Sequence, residues 1–465
     1  MHTFQREKGS HLCELMAGIT VTVVLLFLTI KMGSPYVPAA VICAIAVFLF
    51  LCLDPRRLVI AQIVLCSVLG YLTVSLGFPS LLNYATDLLT AGSVLFALLK
   101  IRREGLLVQF GAVPVLLLGL FLVGSASAVL NGVSPILYAW SLRTFFRVFA
   151  IMFAGAVLLK KSDIAIVCNI MFGVLAANVL LCSYQYFFEH LRSDYVSGLF
   201  GRNAALNVHL VIVSILALFR IKNGQKRLLL AVCTLVACCY IAAIAELKLY
   251  FVELIVVLAL SLLAQKPSFK NLAIVAILLS LMAYFVTMLG EMYPTFADFF
   301  SLESMLEYAE SNYGGGETVS RLNAIGMLDA SFMPNALCES IGLGLGSGQH
   351  TQFFSSPLYS MYGEIYNWSW FSHASIFLET GYVGLFLYAA VFVGLCLLFW
   401  MKKNETPEME WLMRCGAVFC IMCLILFFYN STFIVEPACY LVGVFLALPL
   451  CALRTEASNG RKGGR

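Results

Sequence analysis

The sequence predicts an all-α fold: a polytopic membrane helical bundle of about 12–14 transmembrane helices, with one large outward-facing loop containing short helices. Three observations carry this. Of the 465 residues, 61% are hydrophobic and only 12% are charged, with a mean hydropathy of +0.93. Soluble domains carry about twice that charge, so a chain this apolar cannot cover a water-facing surface, and lipid must be its main solvent. The apolar residues also fall in runs of about 17–25, the length that crosses a bilayer core as a helix. Finally, the basic residues collect in every second connection between runs.

The runs lie at 12–30, 36–53, 58–77, 81–99, 108–128, 136–159, 163–188, 203–219, 228–245, 248–264, 272–290, 373–400, 411–429 and 433–453. The first follows Arg6 and Lys8 and meets no small-residue cleavage site, so it reads as a retained helix rather than a signal peptide. The run at 136–159 carries Arg143 and Arg147 and could be partly interfacial. The turn near 246 is tight enough to be a break within the membrane. Placing the N-terminus in the cytoplasm puts Arg56, Arg57, Lys100, Arg102, Arg103, Lys160, Lys161, Arg220, Lys402 and most of the other basic residues on the inner side. Only Lys31, Arg192, Arg202, Lys248 and Arg321 then lie in outer loops, which is the positive-inside pattern. Both termini come out cytoplasmic, and residues 1–465 read as one integral membrane domain.

Of the 16 cysteines, only Cys338 lies in the large loop. The rest sit in or at the ends of apolar runs as packing residues, which leaves no disulfide framework. A net charge of +4 spread over short loops forms no basic patch and excludes a nucleic-acid binder.

The large loop spans 291–372, far longer than a turn needs. Phe296, Phe299, Phe300, Met305, Leu306 and Tyr308 form an apolar face, broken by Asp298, Glu303 and Glu307, that suits a helix on the membrane surface. A second helix is expected from an N-cap at Ser320 to Phe332, stopping before Pro334. Gly342 to Gly348 reads as a flexible turn. It lacks the Gly-Lys-Ser/Thr of a nucleotide loop. An aromatic stretch, Tyr359 to Phe371, closes the loop.

Few residues here suit chemistry. Arg321 is the only Lys or Arg in the loop, at a helix start where the macrodipole disfavours a cation. It suits either a salt bridge, with Asp329 a candidate, or the oxygens of a phosphate. Lys248 stands at the tight outward turn beside Glu246, and either snorkels to headgroups or binds an anion. Arg143 and Arg147 are four apart on one helix face, so they repel and call for a shared anion, from headgroups or substrate. Arg202 opens the run that also carries Asn203, Asn207 and His209. His373 begins the run at 373–400 as either a packed histidine or a general base. Glu379 lies six residues further on, followed by Gly381 and Gly384, which permit close helix contact. No His or Cys spacing suits a metal.

The order of these features resembles the O-antigen ligase and Wzy-type polysaccharide polymerase family. Lys248 stands at an outward turn before a long apolar helix. Arg321 follows in Ser-Arg-Leu-Asn-Ala-Ile, then Gly342 to Gly346 as Gly-x-Gly-x-Gly. His373 then leads into Glu-x-Gly-x-x-Gly from Glu379 to Gly384. The match covers roughly 200–400. It departs at Lys248, where many members have arginine, and at Ala374, where they have Asn or Ser. The resemblance implies a GT-C-like fold and metal-independent, cofactor-free, inverting glycosyl transfer at the periplasmic face of the bacterial inner membrane. The donor would be an undecaprenyl-pyrophosphate-linked oligosaccharide. The acceptor would be a second lipid-linked repeat for a polymerase, or lipid A-core for a ligase. Membrane lipids, a chain-length regulator and a flippase are the implied partners. Arg321, Lys248, Arg202, Arg143 and Arg147 would neutralise the pyrophosphate, with His373 as base and Glu379 as a substrate contact. A lipid-linked oligosaccharide flippase is the rival from another class, but such transporters show two related halves, and no half-repeat is visible here.

Overall fold

The computed structural model describes residues 48–49, 51–105, 108–220, 225–264, 318–402 and 407–454, with isolated positions between 276 and 310. The predicted runs at 12–30, most of 36–53 and nearly all of 272–290 lie outside the described residues, as does nearly all of the surface face at 296–308. By contacts the chain divides into residues 1–58 and 59–465. In the first unit, Asp54 accepts from Arg56 Nε at 2.9 Å just before a helix begins.

That helix, α1 (Arg56–Gly70), leads into the π-turn Tyr71–Ser75. It is followed by α2 (Tyr84–Glu104), α3 (Val113–Leu130), α4 (Pro135–Leu158), α5 (Asp163–Phe187), α6 (Asn203–Arg220), α7 (Gln225–Ile244) and α8 (Lys248–Ala264). After the undescribed stretch come two short helices, α9 (Ala324–Phe332) and α10 (Ala336–Ile341). The long helices α11 (Ser372–Met401), α12 (Pro407–Tyr429) and α13 (Glu436–Ala452) complete the bundle. No strand occurs among the described residues, only a single bridge between His350 and Ser355. Each expected run between 58 and 264 and between 373 and 453 is a helix, with ends displaced by a few residues. Seven described helices are long and apolar enough to cross a membrane, so the chain is a helical membrane protein. Large side chains such as Leu118, Leu122, Leu180 and Phe386 point outward, as lipid-facing positions should.

One expectation changes. The run at 136–159 is not interfacial. As α4 it is the most enclosed of the seven helices long enough to span, because its arginines find counter-ions inside the protein. The turn near 246 is tight, as expected. It is a three-residue joint between α7 and α8, closed by Leu247 N–H donating to Ala242 O at 2.8 Å.

The core is built around α4, α6, α12 and α13, with α13 and most of α6 buried all round. Between α4 and α13 the surfaces meet at small residues. A Cβ at Gly443 would lie 2.3 Å from Ile151 Cγ2 and 2.4 Å from the Val148 carbonyl oxygen. Lipid tails are as apolar as leucine, so close packing rather than hydrophobicity holds such helices together. The short connections make successive helices antiparallel. At one end Lys100 Nζ donates to Val157 O at 3.2 Å, and Arg454 Nη1 donates to Val157 O at 2.7 Å and Leu159 O at 3.0 Å. Basic side chains there satisfy the orphan carbonyls at the C-terminus of α4. The opposite end carries the starts of α2, α4, α6, α8, α11 and α13, together with residues 318–371.

Gly443→Ala should therefore lower the thermal unfolding temperature in detergent, at a cost of about 1–3 kcal/mol. Gly173→Ala on α5, whose Cβ would meet nothing within 4 Å, should be neutral or slightly stabilising. Equal melting of the two variants would contradict the tight α4–α13 seam.

Candidate functional site

Two adjoining cavities open at the end opposite Lys100 and Arg454. The larger, about 530 Å³, is walled by Thr73, Asn83 and Tyr84, by Trp140, Arg143 and Arg147 of α4, by Arg202, by Gln349 to Gln352, by Ser431, and by Ile434 to Pro437. The smaller, about 430 Å³, is walled by Asn203 and Asn207 of α6, by Glu246, Leu247, Lys248 and Leu249, by Arg321, and by Phe371 and Tyr429. Trp370 and Ser431 line both. Sequence positions far apart thus converge: Lys248 and Arg321 share the smaller cavity, and Arg143, Arg147 and Arg202 share the larger.

The arginine pair on α4 already has its shared anion. Glu436, in the first turn of α13 where the macrodipole favours an acid, pairs with Arg143 and lies 3.2 Å from Arg147 Nη1. Arg143 also donates from Nε to Asp87 at 2.8 Å and lies 4.2 Å over the Trp140 ring. Arg147 donates to the Ile434 carbonyl and to Cys439 Sγ at 3.2 Å, and Tyr440 holds Asp87 at 2.8 Å. Two cations meet two carboxylates, so the expected headgroup or substrate anion is replaced by an internal one.

Arg321 differs from its expected setting. Helix α9 starts at Ala324, because Ser320 and Asn323 cap each other: Ser320 N–H donates to Asn323 Oδ1 at 2.8 Å, and Asn323 N–H to Ser320 Oγ at 3.3 Å. Arg321 therefore sits in the preceding turn, free of the dipole penalty of a helix start. Its guanidinium lies 4.4 Å over Tyr429 and 5.6 Å over Phe371. Asp329, the candidate partner, is held by the Tyr382 hydroxyl at 3.3 Å. Lys248 opens α8 just after Glu246, which takes a left-handed φ of 51°. That conformation costs a non-glycine residue about 1–3 kcal/mol and clusters at functional sites. Arg202 is exposed at the mouth of α6. Below the smaller cavity Asn207 Nδ2 donates to the fully buried Glu253 at 2.9 Å.

His373 and Glu379 line neither cavity. His373 is buried among Phe371, Phe427 and Phe428, against the backbone of Phe427 and Arg321. Enclosed by those rings, it packs against the Arg321 turn. Glu379 is a buried anchor rather than a substrate contact. It accepts from Ser141 of α4, from Gly346 N–H at 2.8 Å, from Gly348 N–H at 3.3 Å, and from Gln349 Nε2 at 2.7 Å. The glycine segment is accordingly no flexible turn. It threads between α3, α4 and α11, and a Cβ at Gly344 would lie 2.5 Å from Ala128 Cα. Gly381 does not extend the helix regularly. Its φ of 64° kinks α11 where the glycine segment crosses.

Sequence reasoning missed Tyr84, Trp140, Gln349, Trp370, Tyr429 and Glu436. Glu436 had a signal, as the one acid at the outward start of α13, available to the two arginines. The others had none, because apolar and amide side chains show their use only where elements meet. Comparison with protein-family models finds no match, and neither does a search of curated proteins.

Glu436→Ala would leave Arg147 buried without its carboxylate. It should cost about 3–5 kcal/mol of stability, read as a lower melting temperature and reduced monodisperse yield. Arg202→Ala, at an exposed position, should stay within about 0.5 kcal/mol of the parent. A harmless Glu436→Ala would remove the internal-anion account.

Proposed function

We propose that the protein is a membrane glycosyltransferase of the O-antigen ligase and Wzy-type polymerase kind. It joins undecaprenyl-pyrophosphate-linked oligosaccharide repeat units at the periplasmic face of the bacterial inner membrane. The observation that carries this is the meeting of Lys248 and Arg321 in one cavity, with Arg202 and Asn203 at its junction with a second. A charged pair at the mouth of a lipid-embedded bundle is expensive unless used. A diphosphate is the ligand whose charge matches such a site. The sidedness follows from the basic end of α4, which the positive-inside rule assigns to the cytoplasm. The GT-C-like architecture and the periplasmic loop at 291–372 belong to the same proposal.

In this reaction an acceptor hydroxyl oxygen bonds to the anomeric carbon as the bond from that carbon to the phosphate oxygen breaks. The electron pair leaves on the lipid pyrophosphate. Lys248 and Arg321 stabilise the charge that develops there, more in the transition state than in the bound donor. The hydroxyl proton goes to the departing pyrophosphate, which gains basicity as the bond breaks. Arg143, Arg147 and Glu436 form a rigid wall for the acceptor side, and His373 and Glu379 hold the elements that carry Arg321 and Gln349. A ligase would use the same donor site with lipid A-core as acceptor.

Purified protein given lipid-linked repeat units should extend them into a ladder without lipid A-core. Product only in the presence of lipid A-core would instead assign a ligase. Lys248→Ala or Arg321→Ala should each slow transfer about 10²–10³-fold, the loss seen when one charge-stabilising donor is removed. Full activity of the double variant would overturn the site. His350→Cys, at the exposed cavity rim, should react with a membrane-impermeant maleimide in intact spheroplasts. Reaction only after lysis would put the cavities on the wrong side for this donor.

A further inference from the structure

Two tryptophans stand two residues apart before α11 and are treated in opposite ways. Trp368 is 1% exposed, and its Nε1 donates to Gly348 O at 3.2 Å. It is a core anchor, in edge contact with Phe332 and Tyr359. Trp370 is 45% exposed and lines both cavities. Tryptophans at the ends of membrane helices commonly sit in the interfacial belt and face lipid headgroups. Trp370 does not fit that pattern. It borders two recesses whose other walls include Arg202, Arg321, Asn430 and Ser431.

The backbone beneath it is fixed. Trp370 N–H donates to Asn367 O at 3.0 Å, and Ser375 Oγ to Trp368 O at 3.0 Å. Buried Ser372 then ties this segment to the connection between α12 and α13. Its N–H and Oγ both donate to Asn430 O, at 2.9 and 2.8 Å, and its Oγ accepts from Phe433 N–H at 3.1 Å. The two segments form one partition between the cavities, with Trp370 on it. A rigid aromatic face rimmed by hydrogen-bonding groups suits a ligand that is apolar on one face and polar at its edge. A pyranose ring has that shape, with axial C–H groups on a face and hydroxyls around the rim.

We propose that Trp370 is a positioning residue, the stacking platform for the sugar ring joined to the pyrophosphate. On this assignment the pyrophosphate lies in the Lys248–Arg321 cavity and the acceptor lies in the larger one. The ring held at the partition presents its anomeric carbon to both. This rests on the glycosyltransferase reading above and adds to it which side chain orients the sugar, and which cavity takes which substrate.

The test separates the two ideas by binding to the full-length protein in nanodiscs. A panel of methyl pyranosides at millimolar concentration is titrated by tryptophan fluorescence, and inorganic pyrophosphate by calorimetry. At least one pyranoside should perturb the emission of the parent protein. Trp370→Ala should weaken its binding at least about tenfold, measured by saturation-transfer NMR, while Trp370→Phe keeps it within a few-fold. Pyrophosphate binding should be unchanged in Trp370→Ala and lost in the Lys248→Ala, Arg321→Ala double variant. Pyranoside binding that is absent, or indifferent to Trp370→Ala, overturns the platform while leaving the pyrophosphate site standing. Absence of pyrophosphate binding to the parent defeats the underlying reading instead.

Discussion

One buried carboxylate organises the cavity end of the bundle. Glu379 lies where α11 kinks at Gly381, and its two oxygens accept from α4 through Ser141 and from the glycine segment through Gly346, Gly348 and Gln349. A buried carboxylate is tolerable only when its lone pairs are satisfied, and four donors do so here. The consequence is geometric. Trp140 and Arg143 flank Ser141 on α4, and Gln349 ends the glycine segment, so one anion fixes two walls of the larger cavity against a third helix. The glycines are required by the same arrangement. At φ of 77°, 96° and 102°, Gly342, Gly344 and Gly346 lay the backbone flat against neighbouring backbone, and the N–H groups of Gly346 and Gly348 turn to the carboxylate.

The helices were legible because hydropathy and length are local properties, and a bilayer leaves the backbone few options besides a helix. What could not be read locally was each helix's neighbourhood. The run at 136–159 looked interfacial because it holds two arginines. Nothing in its own residues told that Asp87 of α2 and Glu436 of α13 neutralise them. The same blindness made the glycine segment look mobile and Glu379 look available to substrate. Both expectations weighed the residue without its partners, and a partner 30 or 238 positions away leaves no mark on the local pattern.

The cations that line the cavities were partly legible for a different reason. Burying charge in a membrane protein is costly, so any charge off the cytoplasmic side deserves an explanation. That reasoning singled out Arg143, Arg147, Arg202, Lys248 and Arg321, and all five line the two cavities. It could not rank them, because rank depends on which are already compensated. It also put His373 on a par with them, since position at a helix start says nothing of the three phenylalanines that enclose the ring.

Ranking by compensation changes where an anion belongs. Arg143 and Arg147 face Asp87 and Glu436 one for one, so an anion in the larger cavity would compete with Glu436 and gain little. Arg202 is exposed at the junction, and Lys248 and Arg321 share the smaller cavity with Glu246. There Tyr429 and Phe371 cover faces of the Arg321 guanidinium and reduce its contact with water. Partial desolvation strengthens a charge–charge interaction, because the effective dielectric falls. The larger cavity, neutral along its α4 wall and rich in hydroxyl, amide and aromatic groups, suits a neutral, hydroxylated partner. On the proposed function, the compensated α4 wall would favour the larger cavity for an uncharged, hydroxylated acceptor and leave the pyrophosphate donor to the cavity of Lys248 and Arg321.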